Sequence, residues 1–212
     1  REQDKQIEAV ALLSQAILVA IQAHDFNTLV GALGDRSLVW KHMYLKSQSM
    51  EYVGLCEADA REMLTQAENH NVRDLIPKAN LFMGEVEILK ANYSQAINWL
   101  NKAVELKEEG AEKGAFIYHL GEAIYRNGDK IQGKAKLLEG VEVLKQHEVE
   151  GDSFLFHVWI SGGYMRIADL LMADEPDLAL EYLGKAKLVI EGDKRLVVRK
   201  QQLEELERLW QK

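Results

Sequence analysis

Proline and cysteine are almost absent from this sequence, and each absence excludes something. Two prolines, Pro77 and Pro176, stand among 212 residues. An internal proline costs a helix about 3 kcal/mol, so the chain is free to form long uninterrupted helices. A single cysteine, Cys56, rules out a disulfide within the chain and a zinc site of several thiolates. It points to a reducing compartment, read as cytoplasmic, and to a small buried hydrophobe rather than a reactive thiol. Basic clusters are missing as well: 26 Lys and Arg face 34 Asp and Glu, for a net charge of −8. Phosphate binding needs a basic face, so no nucleic-acid partner is expected, and the acidic balance favours solubility. The longest apolar run, 9–23, is broken by Ser14, Gln15 and Gln22. That is too polar to span a bilayer, and no membrane partner is expected. The sequence opens on Arg1 rather than methionine, which fits a trimmed N-terminus and leaves a removed targeting segment open.

What is there is 47% hydrophobic and 28% charged, too apolar for disorder. Its apolar spacing is helical nearly throughout. Ile7, Val10, Ala11, Ser14, Ile17, Leu18 and Ile21 trace one face of a first helix. No stretch alternates apolar and polar residues between hairpin turns, so strands are not expected. His24-Asp25 ends the first helix, Asp25 or Asn27 caps a short second one, and Gly34-Asp35 reads as a stop followed by an N-cap. Asp74 followed by Pro77 reads as a helix start. Gly110, Gly151-Asp152-Ser153 and Gly192-Asp193 repeat the stop-then-cap pattern, while Asn92, Asn127-Gly128-Asp129 and Asp174-Glu175-Pro176 are tighter turns. These marks predict one domain over 1–212: N-terminal helices in 1–34, hairpins over 35–73, 74–109, 111–150 and 152–191, and an end helix over 193–212.

An internal repeat organises the pattern. A small residue is followed by Leu four later and a small residue three after that: Ala60, Leu64, Ala67; Ala96, Leu100, Ala103; Gly133, Leu137, Gly140; Ala179, Leu183, Ala186. Offsets of four and seven return to one helical face. Small side chains let a neighbouring helix approach, and the Leu fills the space beside them.

A helix precedes each triplet. Asn80, Met83, Gly84 and Glu87 lead into the second, and Ile117, Leu120, Gly121 and Ile124 into the third; Gly84 to Ala96 and Gly121 to Gly133 are both twelve residues. With Asn92-Tyr93-Ser94-Gln95-Ala96 and Ala103-Val104-Glu105-Leu106, the stretch 79–106 resembles the tetratricopeptide motif, and 116–144 is the next best match. The resemblance extends over roughly 35–191. Around Trp40-x-x-Met43-Tyr44 and Trp159-x-x-Gly162-Gly163 the gap is sixteen residues, which predicts a longer turn or helices longer by about one turn. The family's closing proline is absent. The resemblance implies an all-α, right-handed superhelical stack of antiparallel hairpins; HEAT-like and 14-3-3-like stacks are the alternatives. Leu196, Leu203, Leu206 and Trp210 give the end helix an apolar stripe opposite Lys200, Glu204, Glu205, Glu207 and Arg208, as a capping helix needs. A short dimerisation seam is the rival reading.

In that family the first helices of the hairpins line a ligand groove. Carried onto this sequence, His42, Phe82 and His119 occupy equivalent positions on successive first helices. Glu85, Tyr118, Glu122, Tyr125, Arg126, His157 and Tyr164 fall on or near the same surface. Some members use a Lys, two Asn and an Arg to clamp a carboxylate. Glu85 and Glu122 stand on the comparable faces here, and an acid there repels a ligand carboxylate, so that clamp is not expected. His24, His70 and His147 sit at helix C-termini, where they favour the helix dipole. No HExxH, no Glu-x-x-His on one turn, no phosphate loop and no strand-turn-helix elbow occurs; neither Ser161 nor Cys56 has a local base. No catalytic, metal or cofactor site is expected. The expected function is a non-enzymatic module holding a protein or peptide partner, as a monomer or weak homodimer. The alternatives are a self-assembling scaffold using its ends and convex face, and a helical-stack enzyme or small-molecule sensor.

Overall fold

The computed structural model describes residues 2–147 and 153–210. Among them the chain forms ten α-helices, one 3-10 turn and no strand. It divides into two compact units, Arg1–Lys107 and Glu108–Lys212.

The first unit holds α1 (Glu2–Ala23), α2 (Phe26–Ser47), α3 (Met50–Asn69), α4 (Ile76–Leu89) and α5 (Tyr93–Leu106). Each helix packs on the next, and α2 also touches α4. The second holds α6 (Ala111–Arg126), α7 (Lys130–Gln146), α8 (Phe154–Leu171), α9 (Pro176–Gly192) and α10 (Val197–Trp210). Here too neighbours pack in series, α6 touches α8, and α10 covers both α8 and α9. Sequential pairing with a further contact between successive first helices is the pattern of stacked hairpins.

The triplets make these joints. Ala60, Ala67, Ala96, Leu100, Ala103, Ala179 and Ala186 are fully buried and Gly133 and Gly140 on α7 are buried, whereas Leu64 is half-buried. At α6 against α7 the helices meet nearly backbone to backbone. A Cβ on Gly121 would stand 2.5 Å from the Leu137 amide nitrogen, and one on Gly140 would stand 2.5 Å from the Gly114 carbonyl oxygen. Only glycine permits that approach.

Helix ends follow local chemistry. Asp25 and Asp129 cap α2 and α7, accepting from the amides of Thr28 at 3.1 Å and Gln132 at 2.9 Å. Pro77 and Pro176 lie in the first turns of α4 and α9. Gly151 and Asp152, read as a stop and cap, lie outside the described residues.

Three expectations need correcting. By length and composition Lys5–Ala23 is apolar enough to cross a membrane, contrary to the reading of 9–23 as too polar. Gly34-Asp35 does not end a helix, because α2 runs through it from Phe26 to Ser47. Gly34 serves packing instead: a Cβ there would come within 2.9 Å of the Met63 sulfur and 3.0 Å of the Phe82 ring. The face expected to be buried on α1 is also rotated. Ile17 and Ala20 are buried, whereas Ile7, Leu18 and Ile21 are 58%, 60% and 50% exposed. Polar anchoring sets that rotation. Arg36 on α2 grips Asp59 on α3 through Nε at 2.8 Å and a terminal nitrogen at 2.7 Å, and its other terminal nitrogen donates to Ser14 Oγ at 2.9 Å. Trp40 Nε1 donates to the same Asp59 at 3.0 Å.

The first sixteen-residue gap is taken up by longer helices, and the second by a longer α8 together with a four-residue turn. α2 and α3 have 22 and 20 residues against 14 each for α4 and α5. α10 caps the second unit: Leu196 and Leu203 are buried, and Arg199 lies over Gly162 and donates to the Val158 carbonyl at 3.1 Å.

Candidate functional site

In each unit the first helices of successive hairpins meet through a buried carboxylate. Lys41 on α2 donates to Glu85 on α4 at 2.6 Å. Arg166 on α8 donates to Glu122 on α6 at 2.7 Å, and Arg126, one turn after Glu122, donates to it at 3.0 Å. Burial pushes the Glu122 carboxyl upward, but Arg166 and then Arg126 outweigh it and hold the group below the usual range. Arg126 also reaches Asp169 on α8 at 3.3 Å. Burial raises the Asp169 carboxyl, with Arg126 opposing and the Glu122 charge adding to the rise.

Around these pairs most of the expected groove residues are packed. Phe82 and Glu85 are buried in the first unit, and His42 is half-buried on α2. Lys78 lies 5.6 Å from the Phe82 ring centre. In the second unit Tyr118 is 2% exposed, pressed against Gly140 and Gly163, with the Arg166 guanidinium 5.3 Å from its ring. His119 is buried beside it, the ring centres 4.8 Å apart. Tyr164 is buried at 5.7 Å from the Tyr182 ring. Tyr125 is buried and donates to Asp174 at 2.5 Å; burial first and that bond second push its hydroxyl up to about 12. The most exposed members of this cluster are Asp169, with about half of its side chain in solvent, and Arg126, with a third.

His157 sits apart, joined to the cap. Its Nδ1 meets Asp193 Oδ2 at 2.9 Å, and Arg195 closes on the same carboxylate at 2.7 Å. Ser153 Oγ is 3.4 Å from that same Nδ1. A nucleophile relay needs serine and acid on opposite ring nitrogens, so these three do not form a triad. Cys56 is buried against Ser37, and burial raises its thiol to about 11, with the Ser37 bond opposing; it is no nucleophile at neutral pH. No group of three or more His, Cys, Asp or Glu among the described residues is placed to hold a metal ion.

Sequence reasoning missed several of these partners. Arg166 and Asp169 come from α8, and nothing local marks them. A signal exists in spacing: Arg166 follows Glu122 by 44 residues, as Glu85 follows Lys41. Also missed is an open cavity of about 430 Å³ beside Tyr125, floored by Ala135 and Leu138 and rimmed by Lys130, Lys134, Asp174 and Glu175. Lys130 pairs with Asp174 at 2.6 Å and Lys134 with Glu175 at 2.5 Å.

No family model and no curated protein matches this sequence. Solved structures do. BtubC (BKLC) from P. vanneervenii superposes with a TM-score of 0.53 at 11% identity, over 88% of this chain and 91% of its own. A putative kinesin light chain from P. anserina with nearly identical tetratricopeptide-like repeats superposes with a TM-score of 0.55 at 15% identity, over 92% and 91%. At such identities the likeness is one of fold. The chain is a tetratricopeptide-like, all-α stack of helical hairpins.

Proposed function

We propose that this chain is a non-catalytic protein-interaction module, and that the α6–α8 face of its second unit holds a peptide or helix of a partner protein. The observation that carries the reading is the Arg126–Asp169 pair, partly exposed above the buried Glu122–Arg166 bond. Beneath it the side chains are fixed by buried hydrogen bonds and by Tyr118, so little ordering cost is left for binding. The pair itself, at 3.3 Å, is longer than the two guanidinium bonds to Glu122 and exchanges easily for a ligand. Arg126 offers guanidinium N–H groups to a partner's carbonyl or carboxylate; Asp169 accepts from a partner's amide or ammonium. Glu122 already receives two guanidinium bonds, so a ligand base is directed to Asp169.

The test is a paired pull-down from native lysate, with the wild-type chain and Asp169→Lys as baits, read by mass spectrometry. A partner present on the first and lost on the second supports the reading. Identical captures on both overturn it.

A self-assembling scaffold is the second reading, and one observation favours it: the exposed apolar face of α1.

A further inference from the structure

The turn joining α6 to α7 sets an asparagine beside an unhindered backbone nitrogen. Of the eight asparagines in the chain, Asn127 alone precedes a glycine. The pair stands in a turn of three residues, 127–129, between Arg126 and Lys130, and every residue of that turn is exposed. Gly128 holds a φ of 107°, and a Cβ built on it would meet nothing within 4 Å.

We propose that Asn127 is a site of spontaneous deamidation, with Gly128 as the attacking residue. The Gly128 amide nitrogen attacks Asn127 Cγ. A nitrogen–carbon bond forms, the Cγ–Nδ2 bond breaks, and the proton from the Gly128 amide leaves with Nδ2 as ammonia. Water then opens the cyclic imide at either of its carbonyls. Opening at Cγ leaves aspartate. Opening at the main-chain carbonyl of residue 127 leaves isoaspartate, in which the chain continues through Cγ. The net change is water in and ammonia out.

A side chain on the following residue crowds the attacking nitrogen, and glycine has none. Asn71 supplies the contrast within the same protein. It too is exposed in a turn, with a φ of 55°. The residue after it is the buried, β-branched Val72, whose amide is held by the Ala67 carbonyl at 2.8 Å. At Asn127 the ring closes when the residue swings away from its helical ψ of −2°. That gives up the bond from the Gly128 amide to the Tyr125 carbonyl, 3.1 Å long and at the last turn of α6. Helix ends open at little cost, so the folded chain reaches the reactive geometry without unfolding.

The product bears on the stack. Aspartate at 127 puts a negative charge at the C-terminal end of α6, where the helix dipole is already negative, and two residues from Asp129. Isoaspartate also adds a methylene to the backbone of the turn that seats the Asp129 cap on α7. The α6–α7 joint meets nearly backbone to backbone at Gly133 and Tyr125 and has little room to absorb the shift. Deamidation therefore loosens the second unit as the chain ages, whether or not the α6–α8 face holds a partner.

The experiment holds the 212-residue chain at physiological temperature and follows it by peptide mapping with mass spectrometry. The peptide containing residue 127 should gain the mass of an amide-to-acid exchange, faster in mildly alkaline than in mildly acid buffer. Most of the product should be isoaspartate, read by methyl transfer from an enzyme that esterifies isoaspartyl carboxyls. The peptide containing Asn71 should keep its amide over the same time. Asn127→Ser should remove the methyl acceptor with an unchanged helical spectrum. The aged wild type should melt at a lower temperature than the fresh chain, and aged Asn127→Ser should not. An amide at 127 that persists as long as that of Asn71, aspartate formed without isoaspartate, or equal melting of the fresh and the converted chain overturns the proposal.

Discussion

Lys41 on α2 donates to Glu85 on α4 at 2.6 Å, tying together the first helices of two successive hairpins. Arg166 and Glu122 make the same tie between α8 and α6 at 2.7 Å, with acid and base exchanged in chain order. Both acids directly follow the glycine of the repeat, Gly84 or Gly121. Each acid is already matched by a base from the neighbouring first helix, and each is worth more to the fold than a surface ion pair.

Glu122→Gln should therefore destabilise the chain by about 2–4 kcal/mol, because it puts a neutral amide with one acceptor oxygen where two guanidinium groups share a carboxylate. Urea unfolding followed by circular dichroism measures it. Arg166→Met in the Glu122→Gln background should recover part of the loss, giving a coupling of about 1 kcal/mol or more. A cost below about 0.5 kcal/mol for the single change would mean that the pair contributes nothing to the stack.

Glycines divide sharply by position. A Cβ on Gly133 would meet the Tyr125 Cα at 2.5 Å, while one on Gly184 meets nothing within 4 Å. Backbone cannot yield as a flexible side chain does. Gly133→Ala should cost about 1–3 kcal/mol or more by forcing α6 from α7. Gly184→Ala, in the exposed interior of α9, should stabilise by about 0.5–1 kcal/mol. Thermal melts of the two variants should move in opposite directions; movement in the same direction would contradict the packing described at these positions.

That contrast explains how much could be read in advance. The small-Leu-small triplets are direct consequences of helix contact, so Ala96, Leu100 and Ala103 revealed their face. Gly34 looked like a stop because glycine is used both to end helices and to admit neighbours, and only the Met63 and Phe82 contacts separate the two uses. On α1 almost every side is apolar, so composition could not fix the rotation. The Arg36 bond to Ser14 does, and it spans 22 residues of sequence. At the candidate site, the repeat placed Phe82, Tyr118 and His119 on first helices but could not tell lining from packing. Phe82 packs against Gly34, and Tyr118 against Gly140, Gly163 and Arg166, all of which lie on other helices.

The cap should respond to acid. Arg195 first, and His157 after it, hold the Asp193 carboxyl well below the usual carboxylate range. A lowered folded-state value means stabilisation fully present above the unfolded value of about 3.9 and lost as pH falls below it. Asp193→Asn should therefore melt at a lower temperature than the wild type at neutral pH, and the two should converge in increasingly acid buffer. A gap in melting temperature that stays constant from neutral to strongly acid pH would rule out the charge as its source.

Truncation tests the cap as a cover. A chain ending at Asp193 loses the buried Leu196 and Leu203 and the whole of α10, which packs on α8 and α9. The bared flank should make the chain aggregate on light scattering. A truncated chain as soluble and as heat-stable as the full one would remove α10 from the fold's requirements.

The central claim is that the α6–α8 face binds a partner, and isothermal calorimetry of the captured partner segment against wild type, Arg126→Ala and Asp169→Lys tests it most directly. Both variants change partly exposed side chains, so the helical spectrum should be unchanged. The account predicts that Arg126→Ala weakens binding by about tenfold, a loss of roughly 1.4 kcal/mol, and that Asp169→Lys weakens it further by reversing the charge that meets the ligand. Affinities within about twofold of wild type for both variants would contradict it.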